Sequence, residues 1–262
     1  MFTGFQHKLP EYEVKTPHTN QSFTLRSMTV QEEERIKGSM LSPSAVTDHL
    51  NRCIFDCVVQ KPKGIVSFDD FLDKCTLKDR DALLYGLYHI TYEEVRNYDV
   101  TCGSCGKSHA ITIKASETFS MNSFPEDKNI LAERFQVNLP VMNSVFATIR
   151  QPTLKDEADA MKNAGSNSQL LDIMTETLII ESLMENVDGN DSTIYSTRED
   201  IVDAYRSLPP NDKRAIFKEY KNKLGSYGIE LKMRTTCIHC GVEEEIDLDL
   251  VDNFFRMVHF IE

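Results

Sequence analysis

Two CxxC pairs carry the most specific chemistry in this chain. Cys102 and Cys105 sit within Thr101-Cys102-Gly103-Ser104-Cys105-Gly106-Lys107, and Cys237 and Cys240 within Thr236-Cys237-Ile238-His239-Cys240-Gly241-Val242. Two intervening residues let both thiolates of a pair face one ion across a tight turn, and the glycine that follows permits the positive φ such a turn needs. One pair supplies two ligands and a closed tetrahedral site takes four, so the sequence predicts a single structural Zn2+ on Cys102, Cys105, Cys237 and Cys240. Four thiolates leave no open position for water or substrate, which argues against a catalytic metal. A redox CxxC would place its first cysteine at a helix N-terminus, where the thiol pKa falls. Here strand-like residues flank both pairs. His109 and His239, beside the pairs, are the rival ligands. Cys53 and Cys57, four apart on an apolar helical face, and the solitary Cys75 read as packed thiols.

The elements that position the cysteines read as a weak internal repeat. Phe23-Thr24-Leu25-Arg26 alternates like a strand, and Thr29 with Glu32 forms a capping box that opens a helix through Ile36. Val145 to Arg150 is a second strand, followed by Thr153 as N-cap and by the acids Asp156 and Glu157. Each copy then predicts a longer helix. In the first it is capped by Ser42-Pro43 and carries Val46, Leu50, Cys53, Ile54, Cys57 and Val58; in the second it carries Leu170, Leu171, Met174, Leu178, Ile179 and Leu183. Shorter helices follow, Ser67 to Lys74 and Asp79 to Tyr88, then Thr197 to Arg206 and Asn211 to Leu224. Both copies end in a cysteine pair between strands, with Ile111 and Ile113, and Ile246 and Leu248, alternating after it. Cys102, Cys105 and Phe119 match Cys237, Cys240 and Phe254 at a constant offset of 135, whereas Arg26 and Arg150 are offset by 124. Asn186 to Thr193 reads as part of the insertion that this implies, and Met121 to Lys128 as the linker. The expectation is an α+β protein of two pseudo-symmetric helical halves, residues 1–124 and 125–262, each ending in a β zinc knuckle and joined as a four-cysteine zinc ribbon.

Charge limits the partners. With 29 Lys and Arg against 41 Asp and Glu, the net charge is -12 and the pI near 5.1, so the chain would repel a polyanion. Lys213, Arg214, Lys218, Lys221 and Lys223 cluster late in a predicted helix, where cations complement the dipole. No apolar run is long enough to span a membrane, and Met1-Phe2-Thr3-Gly4 lacks the pattern of a signal peptide, so the chain reads as soluble and unsecreted. Seven cysteines, an odd number, suit reduced thiols and metal better than disulfides. Gly-x-Gly-x-x-Gly, the P-loop, HExxH and Gly-x-Ser-x-Gly are missing, and Asp69-Asp70 and Glu199-Asp200 sit at helix starts as caps. An enzyme is therefore not expected, and no residue is assigned a catalytic role. The rival functions are a zinc-ribbon protein that binds nucleic acid or regulates, and a metalloenzyme or thiol oxidoreductase.

Leu9-Pro10 leading into Leu25-Arg26-Ser27-Met28-Thr29-Val30-Gln31-Glu32-Glu33, then Leu83-Leu84-Tyr85-Gly86-Leu87-Tyr88-His89-Ile90-Thr91-Tyr92 before Tyr98-Asp99-Val100-Thr101-Cys102, and the terminal Phe254-Phe255-Arg256, resemble the baseplate hub and hub-assembly proteins of T4-like contractile-tailed bacteriophages. The chain departs from that pattern in having Pro10-Glu11-Tyr12-Glu13 where the family has a Pro-Ser-x-Gly turn. The resemblance implies a non-enzymatic, structural or chaperone-like role in tail assembly. Its partners would be other tail proteins (hub, tape measure or baseplate wedge), with no nucleic acid or membrane. It would be found in the host cytoplasm during assembly, and would then either leave as a chaperone or stay in the virion tail baseplate. The helix faces and the first 20 residues, polar enough to order only in a complex, would be the partner surfaces.

Overall fold

In the computed structural model, which describes residues 8–38, 43–92, 95–114, 119–187 and 191–247, strands β1 (Glu11–Lys15) and β2 (Ser22–Arg26) form an antiparallel hairpin with Tyr12 opposite Leu25. Helices α1 (Val30–Gly38) and α2 (Pro43–Cys57) follow, and β3 (Val58–Gln60) returns to pair with β2. Helices α3 (Phe68–Lys74) and α4 (Leu77–Thr91), each closed by a capping box on Ser67 or Thr76, lead to the hairpin of β4 (Val95–Thr101) and β5 (Ser108–Lys114). After β6 (Phe119–Asn122) the order recurs. β7 (Phe135–Asn138) and β8 (Val145–Ile149) precede α5 (Leu154–Ala164) and α6 (Ser168–Glu176). Then come β9 (Ile180–Val187), β10 (Asp191–Tyr195), α7 (Arg198–Ser207), α8 (Pro210–Tyr220) and the hairpin of β11 (Gly228–Thr236) and β12 (Glu243–Asp247). The fold is mixed α+β with several small antiparallel sheets, ordered β1-β2-β3, β10-β9-β8-β7, β12-β11-β6 and β4-β5.

The two strand–helix units share local geometry. Arg26 Nη1 donates to Glu32 Oε2 at 2.9 Å and Arg150 Nη1 to Asp156 Oδ2 at 2.7 Å, and the same oxygens accept the N–H of Thr29 at 2.8 Å and of Thr153 at 2.7 Å. Burial alone would raise Glu32, but the Arg26 guanidinium and the Thr29 donors bring its carboxyl down to about 2. Both first strands carry a register shift at the matching place, between Thr24 and Leu25 and between Thr148 and Ile149.

A buried aspartate pins each hairpin to a helix start. Asp79, in the first turn of α4, accepts the N–H of His18, Thr19 and Thr76 at 2.9, 3.2 and 3.1 Å and the Thr19 hydroxyl at 3.0 Å. Asp212, in the first turn of α8, accepts the N–H of Val141 at 2.8 Å and of Met142 at 3.0 Å. Both side chains are fully enclosed. Gly86 lets β1 lie against α4, because a Cβ there would fall 2.3 Å from Val14 Cγ2.

Several expectations change. The helix drawn through Leu178, Ile179 and Leu183 ends at Glu176, and Ile180 to Val187 is strand β9, since β-branched Ile179-Ile180 beside a waiting β8 favours pairing over a fourth helical turn. Val58 likewise belongs to β3. Glu32 caps Thr29, but the Glu32 N–H bonds the Thr29 carbonyl instead of its hydroxyl. Lys213 and Arg214 stand near the start of α8, Lys213 over the Tyr205 ring. Residues 8–20 are held within the chain itself: Val14, Thr16 and His18 are buried, because β2 and α4 cover them, and residues 1–7 lie outside the described residues. Met121 to Lys128 is no free linker. Asn122 pairs with Gly228, and Phe124 is buried with its N–H bonded to Pro17 O at 2.7 Å. Leu248, Phe254, Phe255 and Arg256 lie outside the described residues.

Early and late segments interlock here. Leu154 of α5 and Ile229 of β11 join the core built by β1 to α4, and Arg80 of α4 forms a bidentate ion pair with Glu157 of α5. His18 Nε2 faces Tyr227 O at 3.0 Å and its Nδ1 faces the Thr76 hydroxyl at 3.0 Å. The Tyr227 carbonyl can only accept, so the proton of a neutral ring sits on Nε2, and Nδ1 is then free to accept the Thr76 hydroxyl. Burial lowers its pKa, against the opposing pull of Asp79. The unfolded chain therefore takes up a proton that the folded chain resists. Stability is full above the ordinary histidine pKa of 6.5 and falls as pH drops below it. Urea midpoints measured between about pH 7.5 and about pH 5 should decline, and His18→Gln should flatten that decline. Asp79→Ala should cost about 3 kcal/mol in urea unfolding, because several buried donors lose their acceptor at once.

Candidate metal centre

The cysteine pairs occupy the turns of the β4–β5 and β11–β12 hairpins. Cys102 N–H bonds Lys107 O at 3.0 Å and Cys237 N–H bonds Val242 O at 2.9 Å, closing each knuckle, while Gly106 and Gly241 take φ of 68° and 72°. The two turns meet. Cys102 Sγ lies 3.7 Å from Cys240 Sγ and Cys105 Sγ 3.8 Å from Cys237 Sγ, and all four sulfurs fall within 4.8 Å of one another. A tetrahedral ion with bonds of about 2.3 Å sets its sulfurs about 3.8 Å apart. The donor set therefore fits a metal ion, and each close pair takes one sulfur from each hairpin.

The sulfurs are electrostatically unequal. The His239 N–H, 3.4 Å from its sulfur, brings the Cys237 thiol down to about 6. At Cys102 the Cys105 amide favours the thiolate, but burial, the Glu244 carboxylate at 3.3 Å and the Cys240 sulfur outweigh it and push the thiol up to about 12. Cys240 is also raised: the Val242 amide favours its thiolate, and burial and the Cys237 sulfur prevail. Crowded thiols cannot ionise together unless a cation offsets their repulsion.

Glu244 was not legible as part of this centre. From β12 it reaches across to the first knuckle, accepting the N–H of Gly103 at 3.2 Å and of Ser104 at 3.1 Å, and the Gly103 bond leads the causes that lower its pKa. His239 joins in the opposite sense, its Nε2 lying 3.2 Å from Ser108 O. Neither histidine falls in the ligand cluster. His109 is buried, with no partner for either ring nitrogen among the described residues, and its ring stands 6.3 Å from that of His239. Cys53, Cys57 and Cys75 are buried in the core, Cys53 with its sulfur 3.4 Å from Met28 Sδ. Among the described residues no helix is long and apolar enough to cross a membrane.

A sequence model described as T4 bacteriophage base plate protein matches residues 9–256. The chain belongs to that family. No curated protein and no solved structure matches it. Both cysteine pairs fall inside the span shared with the base plate family.

Glu244→Ala should free the Gly103 and Ser104 amides. Hydrogen exchange read by mass spectrometry should speed up at those two residues while the core helices keep their protection.

Proposed function

We propose that this chain is a non-enzymatic structural or assembly protein of the phage tail baseplate whose two pseudo-symmetric halves, residues 1–124 and 125–262, are clipped together by one structural zinc ion on Cys102, Cys105, Cys237 and Cys240. The observation that carries the metal is the near-tetrahedral spacing of four sulfurs drawn from hairpins more than 130 residues apart. Zinc suits an all-thiolate tetrahedral set. Bound there it would supply charge compensation and a crosslink. The His239 amide would steady the Cys237 thiolate, and Glu244 would hold the first knuckle in register with the second hairpin.

The baseplate role is supported by the family match, and a chaperone-like or hub-associated duty by the acidic surface and the lack of any catalytic constellation in the sequence. Partners would be other tail proteins, met in the host cytoplasm during assembly and retained in the tail baseplate. Co-purification of the full chain from infected cells, followed by mass spectrometry, should recover tail proteins. Recovery of host ribosomes or polymerase alone would refute the assignment.

Cys102→Ser and Cys240→Ser should each lower zinc content, measured by plasma emission spectroscopy, and thermal stability together, because zinc binding free energy of about 10 kcal/mol in small sites becomes folding free energy. Loss of metal with an unchanged melting midpoint would reject the clip.

A further inference from the structure

Beside β6 and β11, which pair over Gly228–Leu231 among the described residues, lies a cleft of about 680 Å3. Among the described residues it is lined on one side by His109 to Thr112 of β5 and on the other by Lys232 to Thr236 of β11, with Ile238 at the end. The far end is closed by the contact of His239 with Ser108 O.

Both walls of this cleft are strand edges. In an antiparallel ladder, alternate residues turn their main-chain groups toward and away from the partner. Counted from the Cys102–Lys107 and Cys237–Val242 bonds, the N–H and C=O of Ser108 and Ala110 turn away from β4, and those of Arg234 and Thr236 away from β12. The Ser108 carbonyl does point outward, to His239. Among the described residues no strand pairs with that edge of β5, and β6 covers β11 only as far as Leu231. Edges of this kind recruit strands.

Two further features select the occupant. Among the described residues, His109 is 6 % exposed, lines the cleft and has no hydrogen-bond partner for either ring nitrogen, a state that costs free energy until something fills it. In a chain of net charge -12, the described lining holds Lys232, Arg234 and His109 and no carboxylate. Glu245, outside the lining, stands 3.6 Å from both Lys232 and Arg234, and Glu230 stands 3.4 Å from Lys232. Nucleic acid is disfavoured, since among the described residues no aromatic ring lines the cleft for a base to stack on.

We propose that this cleft is the acceptor for one extended, carboxylate-bearing segment of a partner protein, which adds as a strand between β5 and β11. Its alternating N–H and C=O groups serve the outward edges at Ala110, Arg234 and Thr236. An acidic side chain meets the Lys232 and Arg234 wall, a polar group reaches His109, and Ile238, 75 % exposed, offers apolar contact at the end. The proposal deepens the baseplate reading by stating the partner's chemistry. Its test needs no phage protein, so either can fail without the other.

The probe is a fluorescein-labelled peptide of about nine residues, a long single strand, alternating valine and glutamate, titrated with the full-length metal-loaded chain and followed by anisotropy. Its lysine-for-glutamate counterpart and a labelled oligothymidylate are the controls. Binding should be seen with the glutamate peptide alone. Ala110→Pro removes an outward N–H and leaves the β4 ladder its donors, and it should weaken binding about tenfold, as should Arg234→Glu. Hydrogen exchange on the unmutated chain should slow at Ala110, Arg234 and Thr236 when peptide is added, independent of how the variants fold. The proposal is overturned by absent binding, by equal binding of either control, by unchanged affinity in Ala110→Pro, or by protection confined to other residues. A self-dimer that Ala110→Pro abolishes would identify a second copy as occupant and overturn it equally.

Discussion

Four sulfur atoms within 4.8 Å of one another are an electrostatic problem unless a cation sits among them. The rest of the molecule is arranged so that the problem arises: two hairpins whose cysteines lie 132 and 138 positions apart are aimed at one point, and each supplies half of a tetrahedron. The protein adds its own smaller ties at the same place. Glu244 crosses from the second hairpin to the amides of the first, and His239 faces Ser108 O. These contacts set the approach of the knuckles, and the proposed zinc then completes an arrangement whose geometry the polypeptide already holds.

The distant ends of this molecule are joined by more than the cysteines. Leu154 and Ile229 fill the core made by β1 to α4, Arg80 grips Glu157, and β6 lies in the sheet of β11. At the base of this joint, His18 links the first hairpin loop to Thr76 and to the Tyr227 carbonyl. Asp79 gathers the donors of that loop beneath α4, and Asp212 repeats the device beneath α8. A carboxylate enclosed at a helix start satisfies several buried N–H groups at once. Such residues look like ordinary first-turn acids in a sequence.

That resemblance to ordinary acids explains much of what sequence could and could not show. The cysteine spacing, the following glycines and the flanking alternation were legible because a knuckle is a local structure, whose requirements lie within seven residues. Helix starts at Ser67, Thr153 and Thr197 were legible for the same reason, each carrying its own cap. The strand at Ile180 was not, since Leu178, Ile179 and Leu183 satisfy a helical period as well as a strand, and only the presence of β8 decides between them. Met121 to Lys128 carries turn residues and so resembles a connector, although Phe124 is buried through contacts with residues over 100 positions away. Glu244 gave no signal, and His109 stood out only as a rival ligand, because their roles depend on the approach of the other hairpin.

The pairing of β6 with β11 has a consequence for the life of the chain before it is complete. When Phe119 to Asn122 leaves the ribosome its partner strand, Gly228 to Leu231, has not yet been synthesised, and the core around α4 still lacks Ile229. The emerging N-terminal region must wait with an uncovered apolar surface and an unpaired edge, the condition in which nascent chains aggregate or are held by chaperones. With contacts reaching 209 positions along the chain, closure is a late and slow event. The sheet of β6 and the core around α4 are therefore finished only once Leu231 has emerged, and a product truncated before that point would lack both.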